Sequence, residues 1–349
     1  MMGTANAESS VSLYGELDAG LGWLNNVGGR SQFKAVSGLI DGSFVGLKGS
    51  NDFSSGTQVV FQIERGISVM SGNSVNDHPL YFGIARESIG TVTLGYQYDS
   101  IHDYLAPLTL TGGTGGTAFA HPFDNDNANN SLLAHNAIKY EKQLTSDWKI
   151  GGFYAFSNVA GDFSNNRAYG IGASYQNGSL SAGAAWLHVS GAGNSDAGAY
   201  DATPLPALRH EIVDSSVQTQ NRYGIGVNYL FGDITLGAVW TRSTFVGIAD
   251  LKTGSKMPSI GFSNYEVNAN FQLTPSLSVA SSYTYTKSSN GHWHAGGLQA
   301  VRLISKRTDV YSEVIYQHAS ADARALIAGF DPSTSRTQLL VGAGFRHRF

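Results

Sequence analysis

Apolar and polar residues alternate with a period of two along most of the chain. Because successive side chains of a strand point to opposite faces, this pattern predicts β-strands with one apolar and one polar side. The alternation recurs at 59–64, where Glu64 is on the polar side, and at 234–240 and 277–284. In the first strand the apolar face carries Val11, Leu13, Leu17, Ala19, Leu21 and Trp23, and the polar face carries Ser12, Tyr14, Glu16, Asp18 and Gly20.

The polar face consists of Ser, Thr, Gln, Gly and charged residues throughout the chain. In a soluble β-sandwich, large apolar side chains on one face form the core. A polar face against water and an apolar face against lipid account better for both sides of these strands. The alternation therefore favours a transmembrane β-barrel over a soluble sandwich.

Short connections between the strands alternate with longer, irregular ones. Seven turns and eight loops would join about sixteen strands of roughly ten residues, and this arrangement is typical of bacterial outer-membrane barrels. The predicted fold class is therefore all-β, an antiparallel transmembrane barrel of about sixteen strands. The turns lie near 51–56, 88–91, 144–147, 176–179, 231–233, 274–276 and 305–309, and the loops around 25–40, 68–78, 99–134, 158–166, 190–218, 244–258, 289–295 and 319–335.

The chain ends on another alternating strand. An apolar edge strand in lipid needs a partner, and the first strand is the free candidate. Closing the sheet between these two strands removes both edges. The apolar face of the last strand carries Leu339, Val341, Ala343, Phe345 and Phe349.

The composition narrows the class of protein. Gly accounts for 43 of 349 residues, and charged residues make up 14%, against roughly 25% in a typical soluble protein. The net charge of −4 provides no basic surface for nucleic acid, and the absence of Cys excludes disulfides and thiolate metal sites. No apolar run of about 18 residues could form a transmembrane helix.

The first residues resemble the end of a secretory signal peptide. Ala5-Asn6-Ala7 matches the small-residue pattern that precedes signal cleavage. We expect residues 1–7 to be a signal remnant and residues 8–349 to be one barrel domain. The alternative is that residues 1–7 are left over from cloning.

The sequence offers no catalytic or metal-binding motif that accounts for a function. His292 and His294 in "HWH" lack a third ligand nearby, so solvated loop residues are favoured over a metal site. The "GGTGGT" stretch at 112–117 lacks the Lys of a phosphate-binding loop, and no G-x-S-x-G elbow is present. We therefore predict no enzyme activity, no metal and no cofactor.

The sequence resembles the general diffusion porins of Gram-negative bacteria, of the type found in β-proteobacteria. The resemblance spans nearly the whole chain. It rests on "SSVSLYGELDAGLGW" at the start, "GSFVGLKGSNDFSSGTQVVFQIERG" (42–66), "GTVTLGYQYDSIHDYLAPLT" (90–109), "HPFDNDNANNS" (121–131), "NNRAYGIGASY" (165–175), "SKRTDVYSEVIYQ" (305–317) and the terminal "GAGFRHRF".

The resemblance implies a homotrimer in the bacterial outer membrane, in contact with lipid and lipopolysaccharide, with one pore per chain. It implies that Phe349 is the signal read by the outer-membrane assembly machinery. The third long loop, 99–134, would fold into the lumen and narrow it. A loop this long in a compact fold is usually functional, although an extracellular cap is the alternative.

The same loop holds four acids, Asp99, Asp103, Asp124 and Asp126, which in the family would form one side of the constriction. Relatives set such acids against a ladder of Arg on the facing wall, and this chain departs from that pattern. The matching positions are Phe44, Tyr96 and Leu133, with His135 nearby, and the remaining wall candidates are Glu16, Asp18, Lys48, Glu64 and Lys139. Since rings of carboxylates favour cations, we expect weak or cation-leaning selectivity.

The resulting prediction is a water-filled channel for passive diffusion of ions and small hydrophilic solutes. The alternatives are a substrate-selective channel on the same barrel, suggested by the altered ladder, an outer-membrane enzyme, and a non-conducting adhesin. Whether a solute blocks the ionic current would distinguish the substrate-selective channel from the passive diffusion channel.

Overall fold

The computed structural model describes residues 9–54, 56–75, 78–194, 197–206, 212–320 and 323–349. The predicted signal remnant, residues 1–7, lies outside the described residues. No helix in the described part of the chain is both long enough and apolar enough to span a membrane.

The described residues form twenty strands and a few short helices, and these helices lie between β7 and β8. The first ten strands are β1 (Ser9–Val27), β2 (Arg30–Ser37), β3 (Phe44–Ser54), β4 (Thr57–Ile67), β5 (Ser74–Val75), β6 (Leu80–Arg86), β7 (Gly90–Gln97), β8 (Ala134–Gln143), β9 (Trp148–Ala155) and β10 (Arg167–Asn177). The others are β11 (Leu180–Ala192), β12 (Thr203–Pro206), β13 (Ile212–Phe231), β14 (Ile234–Asp250), β15 (Lys256–Met257), β16 (Ile260–Thr274), β17 (Leu277–Ser288), β18 (Gly291–Ser305), β19 (Thr308–Ala319) and β20 (Thr337–Arg348). The helices are α1 (Ser100–Tyr104), the 3-10 turns Ala106–Leu108, Thr117–Phe119 and Pro122–Asp124, and the π turn Thr111–Gly115.

The sheet closes on itself as an antiparallel barrel of 16 strand positions. β1 pairs with β20 on one side, from Glu16–Arg348 to Leu24–Leu340. On its other side the first half of β1 pairs with β3 and the second half with β2, so β2 and β3 occupy one strand position. The short strands β5, β12 and β15 extend the connections of their neighbours. The predicted all-β barrel is confirmed.

The two faces of the wall follow the alternation. Val11 and Leu21 on β1 are 67% and 68% exposed, whereas Glu16 and Asp18 in the intervening row are 6% and 0% exposed. The exposed apolar row therefore faces outward to lipid, and the polar row faces inward. The same outward row appears on β10 with Ile171, which is 63% exposed.

All seven predicted short turns are present, as connections of two to four residues, but three of the long loops are shorter than expected. The predicted loop 25–40 is a hairpin, in which Gly28 and Gly29 turn with φ of +58° and +93°. Glycine adopts these angles without a steric cost, which allows a two-residue turn. The loops at 244–258 and 289–295 are shortened in the same way, because β14 and β18 extend into them.

The last residue closes the seam between the two ends of the chain. Phe349 and Gly15 exchange backbone hydrogen bonds of 3.1 and 3.2 Å. A Cβ at Gly15 would come within 2.6 Å of the Phe349 ring, so the absence of a side chain there lets the ring lie against β1. The predicted pairing of the last strand with the first is thereby confirmed.

Candidate pore constriction

The connection between β7 and β8, residues 98–133, lies against the inward-facing row of the wall; we call it the inner loop. The backbone N–H of Leu110 donates a hydrogen bond of 2.7 Å to Glu266 on β16. The Gln299 amide on β18 donates one of 2.7 Å to the Gly115 carbonyl. Since Glu266 and Gln299 are in the inward row, these bonds hold the loop on the lumen side of the sheet.

Glycines in the wall make room for the start of the inner loop. A Cβ at Gly172 on β10 would come within 2.3 Å of the Tyr104 ring, and one at Gly151 on β9 within 2.1 Å of its hydroxyl. A Cβ at Gly183 on β11 would come within 2.1 Å of the Tyr104 carbonyl. Glycine weakens a strand interior, and its presence here is explained by the close approach of a second segment.

The far end of the inner loop reaches a second inward excursion of the chain, residues 38–43 between β2 and β3. The N–H of Thr117 donates a hydrogen bond of 3.3 Å to the Ile40 carbonyl. Gly116 has a φ of +80°, and a Cβ there would come within 2.3 Å of Ile40. The inner loop is therefore seated along its length and fixed at its tip.

Asp99 fastens the beginning of the inner loop. One carboxylate oxygen caps α1 by accepting hydrogen bonds from the N–H groups of Ile101 and His102, at 2.8 and 3.1 Å. The other oxygen accepts from Asn127 at 2.8 Å and from the Tyr200 hydroxyl at 3.0 Å. Asp99 is 0% exposed, so its charge is used to hold three segments together and does not face water.

A buried histidine joins the inner loop to the opposite wall. His121 Nδ1 lies 2.6 Å from Asp126, and Nε2 lies 3.0 Å from Glu266. Thr241 and Asn264 donate to the same Asp126 oxygen at 2.5 and 3.3 Å. Burial alone would lower the pKa of His121, but the two carboxylates raise it to about 10. Burial would raise the pKa of Asp126, but His121 lowers it to about 2, so the pair stays charged across the ordinary pH range.

The other two loop acids also have partners inside the protein. Asp124 accepts hydrogen bonds from the N–H groups of Asn129 and Ser131, at 2.9 and 3.0 Å. Asp103 forms an ion pair of 2.5 Å with Lys139, which projects inward from β8. Burial would raise the pKa of Asp103, but Lys139 lowers it below its ordinary value.

The prediction that the loop acids form one side of the pore is therefore wrong. Each of Asp99, Asp124 and Asp126 is at most 6% exposed, and Asp103 is neutralised by Lys139. A buried carboxylate must be paired or hydrogen-bonded, and an inner loop packed against a wall gives it such partners. The acids stabilise the loop's conformation instead of presenting charge to the lumen.

A space of about 590 Å³ remains between the inner loop and the wall formed by β1, β3, β4 and the 38–43 excursion; we call it the opening. Its acids come from the wall side, and its loop side is polar and uncharged except for a histidine. The wall contributes Glu16, Asp41, Phe44, Gln62, Glu64 and His78, and the loop contributes Tyr98, His102, Thr111, Asn129, Asn130 and Ser131.

Beside the opening, the inward rows of β1, β19 and β20 carry a charged network. Arg348 lies 2.8 Å from Glu16, and Arg346 lies 2.5 Å from Asp41 and 3.2 Å from Asp309. The network and its neighbours contain more acids than bases. The carboxylates are those of Glu16, Asp18, Asp41, Asp309 and Glu313, and the guanidiniums are those of Arg346 and Arg348.

Asp18 lies in the inward row as predicted but does not line water. It is 0% exposed and accepts hydrogen bonds from the N–H groups of Ile40 and Asp41, at 3.1 and 3.0 Å. The hydroxyl of Tyr311 donates to its other oxygen. Asp18 therefore shapes the 38–43 excursion, which brings Asp41 to the opening.

Phe44, Lys48 and Glu64 also lie in the inward row, as their alternation predicts. The Phe44 ring lies 4.7 Å from the ring of His78 and 5.8 Å from that of Tyr14. Glu64 accepts a hydrogen bond from the Tyr14 hydroxyl, and the Lys48 ammonium lies 4.6 Å from the Tyr14 ring. An aromatic surface therefore stands where the family's Arg was expected, next to an acid.

Tyr96, Leu133 and His135 do not line the lumen, so those predictions are wrong. Tyr96 pairs with Leu80, which is 52% exposed in the outward row, and its ring lies 4.7 Å from that of His135. An irregularity in β8 between Ala134 and Ala137 places His135 outward, and Leu133 is 3% exposed at the end of the inner loop. The alternation of Tyr96 with its neighbours would have placed it outward.

Sequence reasoning missed the residues that the 38–43 excursion and the chain end bring to the opening. Asp41 and His78 lie in connections between strands, where the period-two pattern makes no prediction. Glycines on either side of Asp41 nevertheless indicate a bend in the chain. Arg346 and Arg348 lie on the polar face of the last strand. Their effect on the opening depends on closure of the sheet, which brings them beside Glu16.

A model of the Gram-negative porins matches residues 2–322. The chain belongs to this family. This porin is similar to an outer membrane porin protein of Bordetella pertussis, at 27% identity over 99% of this chain and 96% of the relative. It is also similar to the major outer membrane protein P.IB of Neisseria gonorrhoeae, at 24% identity over 89% of this chain and 95% of the relative.

Solved structures share the barrel of this porin. The anion-selective porin from Comamonas acidovorans superposes with a TM-score of 0.80 at 21% identity, covering 98% of this chain and 100% of the other. OmpT of Vibrio cholerae, in a trimer form, superposes with a TM-score of 0.69 at 15% identity, covering 98% and 99%. The protein is thus an integral outer-membrane porin, a channel through which solutes diffuse.

Proposed function

We propose that this porin is a passive channel with a weak preference for cations, and that the opening beside the inner loop is its narrowest point. The observation that carries the proposal is the charge of the wall around the opening. Asp41 and Glu64 reach it, whereas the two nearby guanidiniums are shared among several carboxylates. Fixed negative charge in a narrow aqueous passage concentrates cations and repels anions.

Ion permeation tests this proposal directly. The purified, folded protein is inserted into a planar bilayer with KCl solutions of different concentration on the two sides. A zero-current potential of the sign expected for K⁺ permeation supports the proposal. Strong selectivity for Cl⁻ contradicts the assignment of the wall acids, and folded protein without conductance contradicts the channel itself.

A substrate-selective channel is the second candidate, because an aromatic surface borders the opening. The Phe44 ring contacts both the His78 ring and the edge of the Tyr14 ring, and the Tyr14 hydroxyl donates to the Glu64 carboxylate. Apolar sugar faces pack on such rings, while neighbouring acids accept hydroxyl hydrogen bonds. A neutral disaccharide that blocks the K⁺ current of the native protein, and not of Phe44→Ala, would support this candidate over simple diffusion.

No catalytic role is included in the proposal, because the proteins that this chain resembles are channels. We also propose that three copies assemble, by analogy with the trimer form of OmpT. The outward row of β1 to β7 offers an apolar surface for that contact, including Leu13, Ile63 and Phe82. Native mass spectrometry of protein extracted in mild detergent would detect the three copies.

The predicted role of Phe349 in assembly remains a proposal. Its ring lies in the outward row, is 40% exposed and covers Gly15 at the seam. A chain lacking Phe349 should reach the outer membrane in smaller amount. Phe345→Leu, which alters an outward ring four residues away on the same face, provides the control for loss of apolar surface alone.

A further inference from the structure

We propose that the outward wall of β8 to β11 binds a phosphorylated lipid of the outer leaflet, of the lipid A type, with an acyl chain in an apolar groove and a phosphate at Arg167 and His188. This inference goes beyond the diffusion channel, because it concerns the opposite face of the wall. It does not depend on which ions the opening prefers.

The groove is a concave region of about 940 Å³ on the lipid-facing side. Its floor consists of small residues that face each other across the strands. Ala173 pairs with Ala184 on β11, and Gly152 on β9 pairs with Ile171. Ile171 also pairs with Trp186, and these large side chains form one side of the groove. Most of a lipid-facing wall is convex, so a groove of this size offers an acyl chain contact on more than one side.

A cationic group lies in the same outward row, beyond the end of the groove. Arg167 is two positions before Tyr169 and four before Ile171, and its guanidinium carbon lies 5.9 and 5.8 Å from the rings of Tyr169 and Phe163. Among the described residues it makes no ion pair, and its buried Nε has no hydrogen-bond partner. A guanidinium held between aromatic rings with unused donors is suited to a phosphate.

His188 completes the polar end. It pairs with Tyr169 across the strands, and the two rings lie 4.9 Å apart. Its ring nitrogens lie 2.9 Å from Asn221 and 3.1 Å from Ser190, and Ser190 pairs with Arg167. Hydroxyl, amide, imidazole and guanidinium groups are therefore grouped at one level of the outward wall, above an apolar surface.

The position of this polar end indicates the leaflet. Arg167 begins β10 at the rim with long loops, which faces the cell surface in bacterial barrels. Six residues separate it from Ala173, about 20 Å along a strand, and a tilt of about 40° reduces this to a depth of about 15 Å. That depth is half of a hydrocarbon core of about 30 Å, so the groove matches one acyl chain of the outer leaflet.

Charge favours a lipid over a second protein chain at this surface. A protein partner covering the groove would bury the Arg167 guanidinium and would have to place a carboxylate beside it, because its Nε has no hydrogen-bond partner among the described residues. A phosphorylated lipid supplies the anion and the acyl chain together.

Binding of lipid A to the intact, folded porin in detergent tests the proposal, with retained lipid counted by native mass spectrometry. Arg167→Gln should weaken binding by about tenfold, the loss expected for a charged hydrogen bond. Ala184→Phe should also weaken it, by filling the groove. Arg242→Gln is the matched control, because Arg242 is an outward arginine on β14 that donates to Ser263 at 2.9 Å, and it should bind normally. Dephosphorylated lipid A should bind native protein as weakly as lipid A binds Arg167→Gln.

Equal binding by native protein and Arg167→Gln overturns the headgroup assignment. If Ala184→Phe reduces the number of protein copies per particle and leaves lipid binding unchanged, the groove is a contact between chains and the proposal is wrong. All variants must conduct K⁺ in a bilayer as the native protein does, which shows that the barrel has folded.

Discussion

The two sides of the opening use acidic residues in opposite ways. On the loop side, Asp99, Asp124 and Asp126 are buried, and their oxygens hold the loop together. On the wall side, Asp41 and Glu64 border the opening, and the Asp41 side chain is 54% exposed. The comparison shows that the electrostatic contribution of an acid to a pore depends on the partners that surround it and not on its position in the pore-forming loop.

The difference has a simple physical origin. The inner loop lies inside a barrel, so many of its polar groups lose contact with water and need partners, which its own acids supply. The wall strands already satisfy their backbone in the sheet, so their side chains remain available to the lumen. Variants that alter one side only therefore test whether the acids of the two sides act differently.

The largest effect is expected from His121→Ala. Removing this cation leaves Asp126 and Glu266 facing each other without compensation in a buried site, which costs about 4 kcal/mol. The inner loop should leave the wall, and the channel should become noisier and more conductive. The measurements are thermal unfolding in detergent and single-channel recording.

His102→Ala is the control for that experiment. His102 belongs to the same loop but is partly exposed and stacks on Tyr98, with ring centroids 3.8 Å apart. It should change the unfolding temperature much less. Equal losses in the two variants would show that the buried triad does not hold the loop.

A smaller effect on the same triad should follow from pH. His121 has a pKa of about 10 when the loop is docked, against about 6.5 when it is not, so docking is most stable below pH 6.5 and weakens as the pH rises toward 10. Asp126 acts in the opposite direction, since its lowered pKa removes stability only as the pH falls from about 4 toward 2.

The unfolding temperature of native protein, measured from pH 5 to pH 9, checks this profile. His121→Asn serves as the reference, because subtraction of its curve removes the contribution of the exposed histidines. Two parallel curves would contradict the linkage to His121.

The barrel was predictable from sequence because its signal is repeated in every strand. Period-two alternation and seven short turns suffice to determine the strand number and the inward row, and Lys48 and Glu64 lie in the row that the alternation predicts. Phe44 lies in the same row, although its prediction comes from matching a family position. The opening was less predictable, since it depends on contacts between distant segments. Asp41 reaches it only because the Asp18 carboxylate binds the backbone of the 38–43 excursion.

Two errors have specific lessons. Tyr96 was assigned by matching a family position, although its own alternation with Leu94 placed it outward. The placement of the loop acids at the pore also follows the family resemblance, and nothing in the sequence shows that Asp126 meets Thr241 and Asn264. These contacts join residues more than one hundred positions apart, and local patterns carry no information about them.

A substitution in the wall can weaken the packing of the inner loop against it. Gly172→Ala places a methyl group within 2.3 Å of the Tyr104 ring, and such overpacking costs about 1.5 kcal/mol. The expected result is a lower unfolding temperature with little change in ion selectivity. Gly296→Ala is the control, because the nearest heavy atom to a Cβ there is 3.5 Å away. A comparable decrease in unfolding temperature in both variants would mean that replacing any strand glycine has this effect, whether or not the glycine contacts the inner loop.

The smallest expected effect is a change in ion selectivity when charge is removed from one side of the opening at a time. Asp41→Asn removes one wall charge, which contributes about 1 kcal/mol to an ion 4 Å away in water, so the preference for K⁺ should fall by up to about fivefold. Asp124→Asn removes a loop acid of the same type that is 6% exposed, and it should lower stability while leaving the zero-current potential unchanged. If Asp124→Asn shifts that potential as far as the wall variant does, the charges of the loop acids influence permeating ions despite their burial. If only the wall variant shifts it, the selectivity of the channel is determined by one side of its opening.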